Sequence, residues 1–253
     1  MNRLCGKVAI ITGANSGIGK RTAERFAEEG ADLVLVARRM DKLKEVADYC
    51  RTKGSRVEAI SADVSSQSDC EKVCQTAMEH FERIDILVNN AGIADKHRPI
   101  TRCEADWWDH IIQVDQSSVF YMMQAALQYM APAKHGSIVN ISSIGGTAYN
   151  SGFAYTAAKT AVIGMSKNVA IQFAGQGIRV NVVAPGPTPT PLNTPEQVAS
   201  FDHEFAALCS QHFDGSVPEV TVDDQANTIL FFASDDSKGC NGQVMVVDNG
   251  RTI

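Results

Sequence analysis

The 253-residue sequence is short of most features that would place it at a membrane, on nucleic acid or around a metal. Its longest uncharged apolar runs, such as Ile229-Leu230-Phe231-Phe232-Ala233, are far too short to cross a bilayer. No block of lysine and arginine interrupts a net charge of −6, which argues against nucleic acid as a partner. Seven cysteines, an odd number, include no C-x-x-C pair and no histidine at ligand spacing, so metal or redox chemistry is not expected. Cys70 and Cys74 instead share a helical stripe with Val73, Ala77, Met78 and Phe81, which fits packing in a reducing, cytoplasmic setting. Met1 leads directly into the first apolar run, leaving no room for a signal peptide. With 44% hydrophobic and 21% charged residues, and no linker, repeat or low-complexity tract, residues 1–253 are expected to form one globular domain.

The most informative stretch is Thr12-Gly13-Ala14-Asn15-Ser16-Gly17-Ile18-Gly19. It follows the apolar run Val8 to Ile11 and precedes a helical pattern from Lys20 to Glu29. A strand that breaks into glycines and re-enters as a helix aims free N–H groups and a positive dipole end at one point, and such a point binds phosphate. Gly13 can turn without steric cost, while Gly17 and Gly19 let a pyrophosphate approach the backbone. The spacing G-x-x-x-G-x-G meets the dinucleotide fingerprint in mechanism rather than letter for letter.

Apolar runs over residues 7–12, 32–37, 56–60, 84–88, 136–141, 178–183 and 243–247 read as strands, alternating with helical patterns. Leu43, Val46, Ala47 and Cys50 recur at helical spacing, and Ser66 with Asp69 predicts a capping box. Repeated β-α-β units predict an α/β fold: a doubly wound, mostly parallel seven-stranded sheet with helices on both faces. Ligands in such sheets sit beyond the carboxyl ends of the strands. Residues 13–19, Asp63-Val64, Asn89 to Gly92 and Ser142 to Gly146 are expected to converge there.

With these segments in place, the sequence resembles the single-domain short-chain dehydrogenase/reductases. The resemblance runs from about Gly6 to Asp248. It is carried by Thr12-Gly13-x-x-x-Gly17-x-Gly19, Asn89-Asn90-Ala91-Gly92, Asn140-Ile141-Ser142-Ser143, Tyr155-x-x-x-Lys159 and Arg179-Val180-Asn181-x-x-x-Pro185-Gly186. A second Y-x-x-x-K, Tyr49 and Lys53, reads as a surface pair.

Residues 153–174 read as a helix, so Tyr155 and Lys159 stand one turn apart on one face. An ammonium beside a phenol favours the phenolate; a shift of about 3 units amounts to roughly 4 kcal/mol. Tyr155 would then exchange a proton with an alcohol or carbonyl as hydride moves. The resemblance implies that Lys159 also binds the nicotinamide ribose and that a serine holds the substrate oxygen. Counting from the strand end gives Ser143 and counting back from Tyr155 gives Ser142; Ser143 is preferred, because the strand end fixes direction. The family often carries an asparagine that supports a proton-relay water, and here Asp115 occupies that place. Two roles stay open for it, a slower relay with altered pH dependence or a structural polar cap.

At the end of the second strand, Ala37 is followed by Arg38-Arg39 with no carboxylate for a ribose 2′-hydroxyl. Guanidinium matches phosphate as a fork, so NADP(H) is expected over NAD(H). The resemblance also implies adenine contacts at Asp63 and Val64, a ribose path along Asn90, Ala91 and Gly92, a carboxamide contact at Pro185, Gly186 and Thr188, and a phosphate contact at Thr190. Asn15, Ser16 and Ile18 complete the pyrophosphate turn.

Most of the eight prolines lie between Pro185 and Pro218. An excursion over 187–220 is expected to form a lid whose Phe201, Phe205, Leu208, Cys209 and His212 share one helical face. Tyr149 and Ala94 to Arg98 would border the substrate pocket. A hydroxysteroid, a 3-oxoacyl thioester or another partly apolar carbonyl fits equally; an enoyl reductase of this family would space its tyrosine and lysine wider. The alternative class is a weakly active nucleotide-binding sensor or scaffold. The resemblance implies a homotetramer or homodimer, with Asn249 replacing the first glycine of the usual Asp-Gly-Gly ending and tolerating a left-handed turn.

Overall fold

In the computed structural model, residues 2–192 and 194–253 are described; Met1 and Asn193, the latter inside the 187–220 excursion, lie outside them. Seven strands form one sheet in the order β3-β2-β1-β4-β5-β6-β7, with every neighbouring pair parallel. They are β1 (Val8–Thr12), β2 (Asp32–Ala37), β3 (Val57–Ser61), β4 (Ile86–Asn89), β5 (Gly136–Ile141), β6 (Ile178–Pro185) and β7 (Val244–Val247). Each expected strand is present with bounds within two residues. Strands β1, β4 and β5 are buried along their whole length, which is why they read as unbroken apolar runs rather than alternating ones.

Helices cover both faces. On one side α1 (Gly17–Glu28), α2 (Met40–Thr52) and α10 (Val222–Ala233) bury Phe26, Leu43, Val46, Ile229 and Phe232 against the sheet. On the other, α3 (Gln67–Phe81), α5 (Ser118–Ala133) and α7 (Phe153–Gln172) bury Cys70, Val73, Met122 and Val162. Burial pushes the Cys70 and Cys74 thiols up to about 12, so these cysteines are inert packing groups. No group of metal-binding side chains occurs among the described residues. Among the described residues no helix is long and apolar enough to cross a membrane.

Three local details depart from the sequence reading. Helix α1 starts at Gly17, not Lys20, so Gly17, Ile18 and Gly19 form its first turn. Only half of the Ser66 capping box forms: Ser66 accepts from the Asp69 N–H, but the Asp69 carboxylate turns to the Asp63 N–H at 3.1 Å. The 187–220 excursion carries two short helices, α8 (Pro195–Ala199) and α9 (His203–Ser210), and does not present one apolar face. The Asp202 side chain caps α9, which leaves Phe201 and His212 outside the helix, while Leu208 is 52% exposed. Of the five expected residues only Cys209 is buried. As expected, Asn249 takes a left-handed φ of 57°.

The excursion leans on the loop after β4. The Asp202 N–H donates to the Lys96 carbonyl at 3.0 Å, Arg102 pairs with Asp202 and Glu204, and the Phe201 ring sits 4.5 Å from that of His97. A cavity of about 480 Å³ between them is lined by Arg98, Thr101, Arg102, Phe201 and Asp202, but not by the candidate catalytic residues.

Candidate active site

The carboxyl edge of the sheet gathers the expected segments. At its centre, Gly13 turns at φ 66° directly beneath the start of α1. A Cβ there would come within 2.8 Å of Asn90 Nδ2 and 2.9 Å of Ala91 Cα. The β4 loop is tied to this turn from both sides. Asn90 Nδ2 donates to the Thr12 carbonyl at 3.0 Å, and Thr12 Oγ1 accepts the Asn90 and Ala91 N–H groups, each at 3.0 Å. Below the edge, Asn89 donates to Asn140 and Asn140 to Ser166, both at 2.8 Å, a polar ladder across β4, β5 and α7.

Ser16 precedes α1 with extended backbone, but its side chain makes no capping bond, and the first turn carries no acid. The free N–H groups and the dipole of α1 are therefore left for an external anion. With its amide turned to accept, Asn15 Oδ1 receives Arg39 Nε at 2.9 Å and Nη2 at 3.0 Å. Arg38 is exposed beside it and has no ion pair among the described residues. Across the turn, Thr190 reaches Gly17, where a Cβ would lie 3.2 Å from the threonine Cβ. Asp63 is half-buried, with one carboxylate oxygen accepting from the Ser65 N–H and hydroxyl. These bonds hold its carboxyl below the usual carboxylate range. Val64 is buried in the core beside it.

The catalytic candidates meet where β5 ends and α7 begins. Ser143 caps the short helix α6 (Ile144–Thr147), its Oγ accepting the Gly145 N–H at 3.0 Å, and its hydroxyl lies on the Tyr155 side of the cap. Ser142 points elsewhere: its hydroxyl donates to the Lys159 carbonyl at 2.8 Å and is buried. The connection between serine and tyrosine turns back at Tyr149, which takes a left-handed φ of 59° and leaves its ring 65% exposed. Lys159 Nζ lies 5.4 Å from the Tyr155 ring centre. Tyr49 and Lys53 show a similar approach, 4.9 Å, on an exposed face far from any partner chemistry, so the motif alone means little.

Sequence reasoning missed the main partner of Lys159. The chain between α4 (Ala105–Ile111) and α5 widens into a π-helical turn over Ile112–Ser117, which swings Asp115 inward until none of it is exposed. Asp115 Oδ1 accepts the Ile93 N–H at 3.1 Å and pairs with Lys159 Nζ at 3.2 Å, while Oδ2 is buried without a partner. Besides the backbone bond expected of a polar cap, the residue has an ion pair with Lys159. It supplies the counter-charge for a buried ammonium. The signal was present in the sequence only as an acid where an amide was expected.

These charges set the proton affinities. Burial pushes the Tyr155 phenol up; Lys159 pulls it down, Asp115 pushes it up again, and the Ser143 hydroxyl favours the phenolate. The net direction is upward, so the lysine alone does not make the phenol acidic, contrary to the sequence expectation. Burial opposes charge on Lys159 most strongly, but Asp115 and Tyr155 hold it above its ordinary value. Asp115 is raised by burial and drawn back by Lys159 and the Ile93 N–H.

The residues present fit a nicotinamide dinucleotide. An uncapped helix N-terminus, a glycine cradle that side chains would fill, and a half-buried phenol beside a buried ammonium lie along one edge. A family model described as enoyl-(acyl carrier protein) reductase matches residues 13–252. The chain is 40% identical over 250 residues to the (2S)-((R)-hydroxy(phenyl)methyl)succinyl-CoA dehydrogenase subunit BbsD of Thauera aromatica, covering 98% of this chain and 97% of that one. It is 37% identical to the 3-oxoacyl-(acyl-carrier-protein) reductase FabG of Thermotoga maritima, over 99% of this chain and all of that one. Among solved structures, carveol dehydrogenase from Mycobacterium avium in complex with NAD superposes with a TM-score of 0.89 at 28% identity, covering 99% of each chain. Levodione reductase gives 0.88 at 30% identity, covering 98% of each. Edge geometry, fold and relatives agree that the chain belongs to the short-chain dehydrogenase/reductase family.

Proposed function

We propose that the chain is an NADP(H)-dependent oxidoreductase that interconverts a secondary alcohol and a ketone, with Tyr155 as general acid and base. The observation that carries this reading is the meeting of Ser143, Tyr155 and Lys159 beside the glycine-rich turn. A nicotinamide dinucleotide held at that edge would supply or take the hydride, and its oxidised ring would add positive charge that lowers the phenol's proton affinity. Ser143 orients the substrate oxygen, and Tyr155 takes or returns its proton. Lys159, kept charged by Asp115, favours the phenolate and is placed to bond the nicotinamide ribose. Gly13, Asn15, Ser16, Gly17, Ile18 and Gly19 cradle the pyrophosphate, with Thr190 closing over them. Asp63 and Val64 border the adenine, Asn90 to Gly92 the ribose, and Pro185, Gly186 and Thr188 the carboxamide.

The preference for NADP(H) rests on Arg38 and Arg39. Neither is offset by an acid at the end of β2, and Asn15 fixes the Arg39 guanidinium beside the turn. Arg38→Ala is expected to raise the Michaelis constant for NADPH about tenfold, the worth of one charge-assisted phosphate contact, and to leave that for NADH unchanged. Equal effects on both would reverse the assignment. The ion pairs of Arg102 with Asp202 and Glu204, and the bond from the Asp202 N–H to the Lys96 carbonyl, support a substrate-side lid made by the 187–220 excursion. The relatives named above, among them a hydroxy(phenyl)methylsuccinyl-CoA dehydrogenase subunit, a 3-oxoacyl reductase and carveol dehydrogenase, support a partly apolar carbonyl substrate. Exposed Met245 and Val246 on the edge strand β7 support a homotetramer or homodimer, and the seven free thiols support a cytoplasmic setting.

Asp115 makes a pH prediction. Its negative charge raises both Tyr155 and Lys159, so Asp115→Asn lowers both. The rate of alcohol oxidation rises as the phenol deprotonates and falls when the ammonium is lost. Both limbs of the pH–rate profile are therefore expected to move to lower pH. Profiles that coincide with the parent would show that the ion pair does not touch proton flow.

A further inference from the structure

The segment leaving β6 is tethered from below by a polar contact inside an apolar layer. Gln225 lies on α10 with no exposed surface, among Ala226, Ile229 and Leu230. Its Nε2 donates to Thr188 Oγ1 at 3.2 Å and to the Val247 carbonyl at 3.0 Å. Thr188 Oγ1 in turn donates to the Gly186 carbonyl at 3.0 Å. The other half of the amide, Gln225 Oε1, is buried without a partner. A buried unsatisfied oxygen costs folding free energy, and a leucine would fill the same space without that cost. What the glutamine adds is a fixed height for Thr188. Two residues further on, Thr190 lies against Gly17. The arm from Gly186 to Thr190 therefore runs from the Gln225 amide to the glycine-rich turn.

We propose that Gln225 is a positioning residue for the dinucleotide: through Thr188 it sets the height of the 186–190 arm over the glycine-rich turn. The proposal rests on the dinucleotide reading given above. Gln225 itself touches no ligand; it acts through the arm.

A positioning role and a merely structural one move different quantities. Gln225→Leu removes the tether together with the unsatisfied oxygen. Its unfolding midpoint, measured without nucleotide, is expected to stay level or rise. Its dissociation constant for NADPH, followed by nicotinamide fluorescence, is expected to rise about three- to tenfold, the worth of one neutral hydrogen bond. Gln225→Met keeps the length of the side chain, lacks the amide donor and serves if the first variant fails to fold. Gln225→Glu, whose carboxyl can still hold Thr188, is expected to bind more tightly than either. An unchanged NADPH dissociation constant in Gln225→Leu and Gln225→Met would overturn the proposal. Parent protein that bound neither NADPH nor NADH would instead overturn the dinucleotide reading itself.

Discussion

Tyr155→Phe is expected to slow both alcohol oxidation and ketone reduction by about 10²–10⁴, which corresponds to roughly 3–5 kcal/mol of transition-state stabilisation. The substitution removes one hydroxyl and keeps the ring, which packs against the buried cluster of Ile111, Ala154 and Ala158. Lys159 retains Asp115 at 3.2 Å, so the ammonium stays in place. Ser143 keeps its bond from the Gly145 N–H and remains able to hold a substrate oxygen. The loss should therefore fall on kcat, with the dissociation constant for the dinucleotide nearly unchanged. Steady-state rates at saturating substrate, paired with a fluorescence titration of NADPH, separate the two. A parent-like kcat would remove Tyr155 from the proton path.

Gly19→Ala is expected to weaken dinucleotide binding by about one to two orders of magnitude. Gly19 sits in the first turn of α1, where an added Cβ would overlap the Gly13 carbonyl oxygen and the Asn90 amide nitrogen. Neither can swing aside cheaply. The first is backbone at a turn held at φ 66°, and the second is fixed by its bond to the Thr12 carbonyl. Relieving the overlap must open the turn and tilt the N–H groups that the anion needs. A shift of about 1–3 kcal/mol, 5- to 150-fold in affinity, is the expected scale for strain at such a position. Gly239→Ala is the control, since a Cβ there meets nothing within 4 Å. Equal NADPH affinities for the two variants would show that the cradle is not where the pyrophosphate sits.

Much of this was legible in the chain itself because it depends on local pattern. Strands buried on both faces leave unbroken apolar runs, and Val8 to Ile11 or Ile86 to Val88 can hardly read otherwise. The β-α-β rhythm then fixes which ends of the strands carry loops, and so which polar segments converge. Beyond the end of β5 the two serines part as chain direction suggests: the Ser142 hydroxyl turns to the Lys159 carbonyl, and that of Ser143 accepts the Gly145 N–H.

What stayed hidden depends on contacts between residues far apart in sequence. Nothing local shows that a π-helical turn rotates Asp115 onto Lys159, 44 positions later, or that burial outweighs the lysine at Tyr155. Asp69 satisfied the spacing of a capping box, yet its carboxylate found a better donor in the Asp63 N–H. In the excursion, helical spacing from Phe201 to His212 looked continuous because periodicity does not register a cap. Asp202 starts the helix after the first aromatic, and the apolar stripe is broken. Gln225 gave no signal at all, since a single amide in a helix reads as surface until its burial is known.

The central claim is that the Tyr155 hydroxyl moves a proton while hydride passes at a nicotinamide held on the glycine-rich turn. Its most direct test is nicotinamide absorbance during incubation with secondary alcohols, ketones and an enoyl thioester, using both cofactors across a range of pH. The account predicts turnover of at least one alcohol or ketone, faster with NADP(H), with oxidation rising toward alkaline pH. Reduction of the enoyl thioester alone, or no turnover of any compound by protein that binds the dinucleotide, would contradict it.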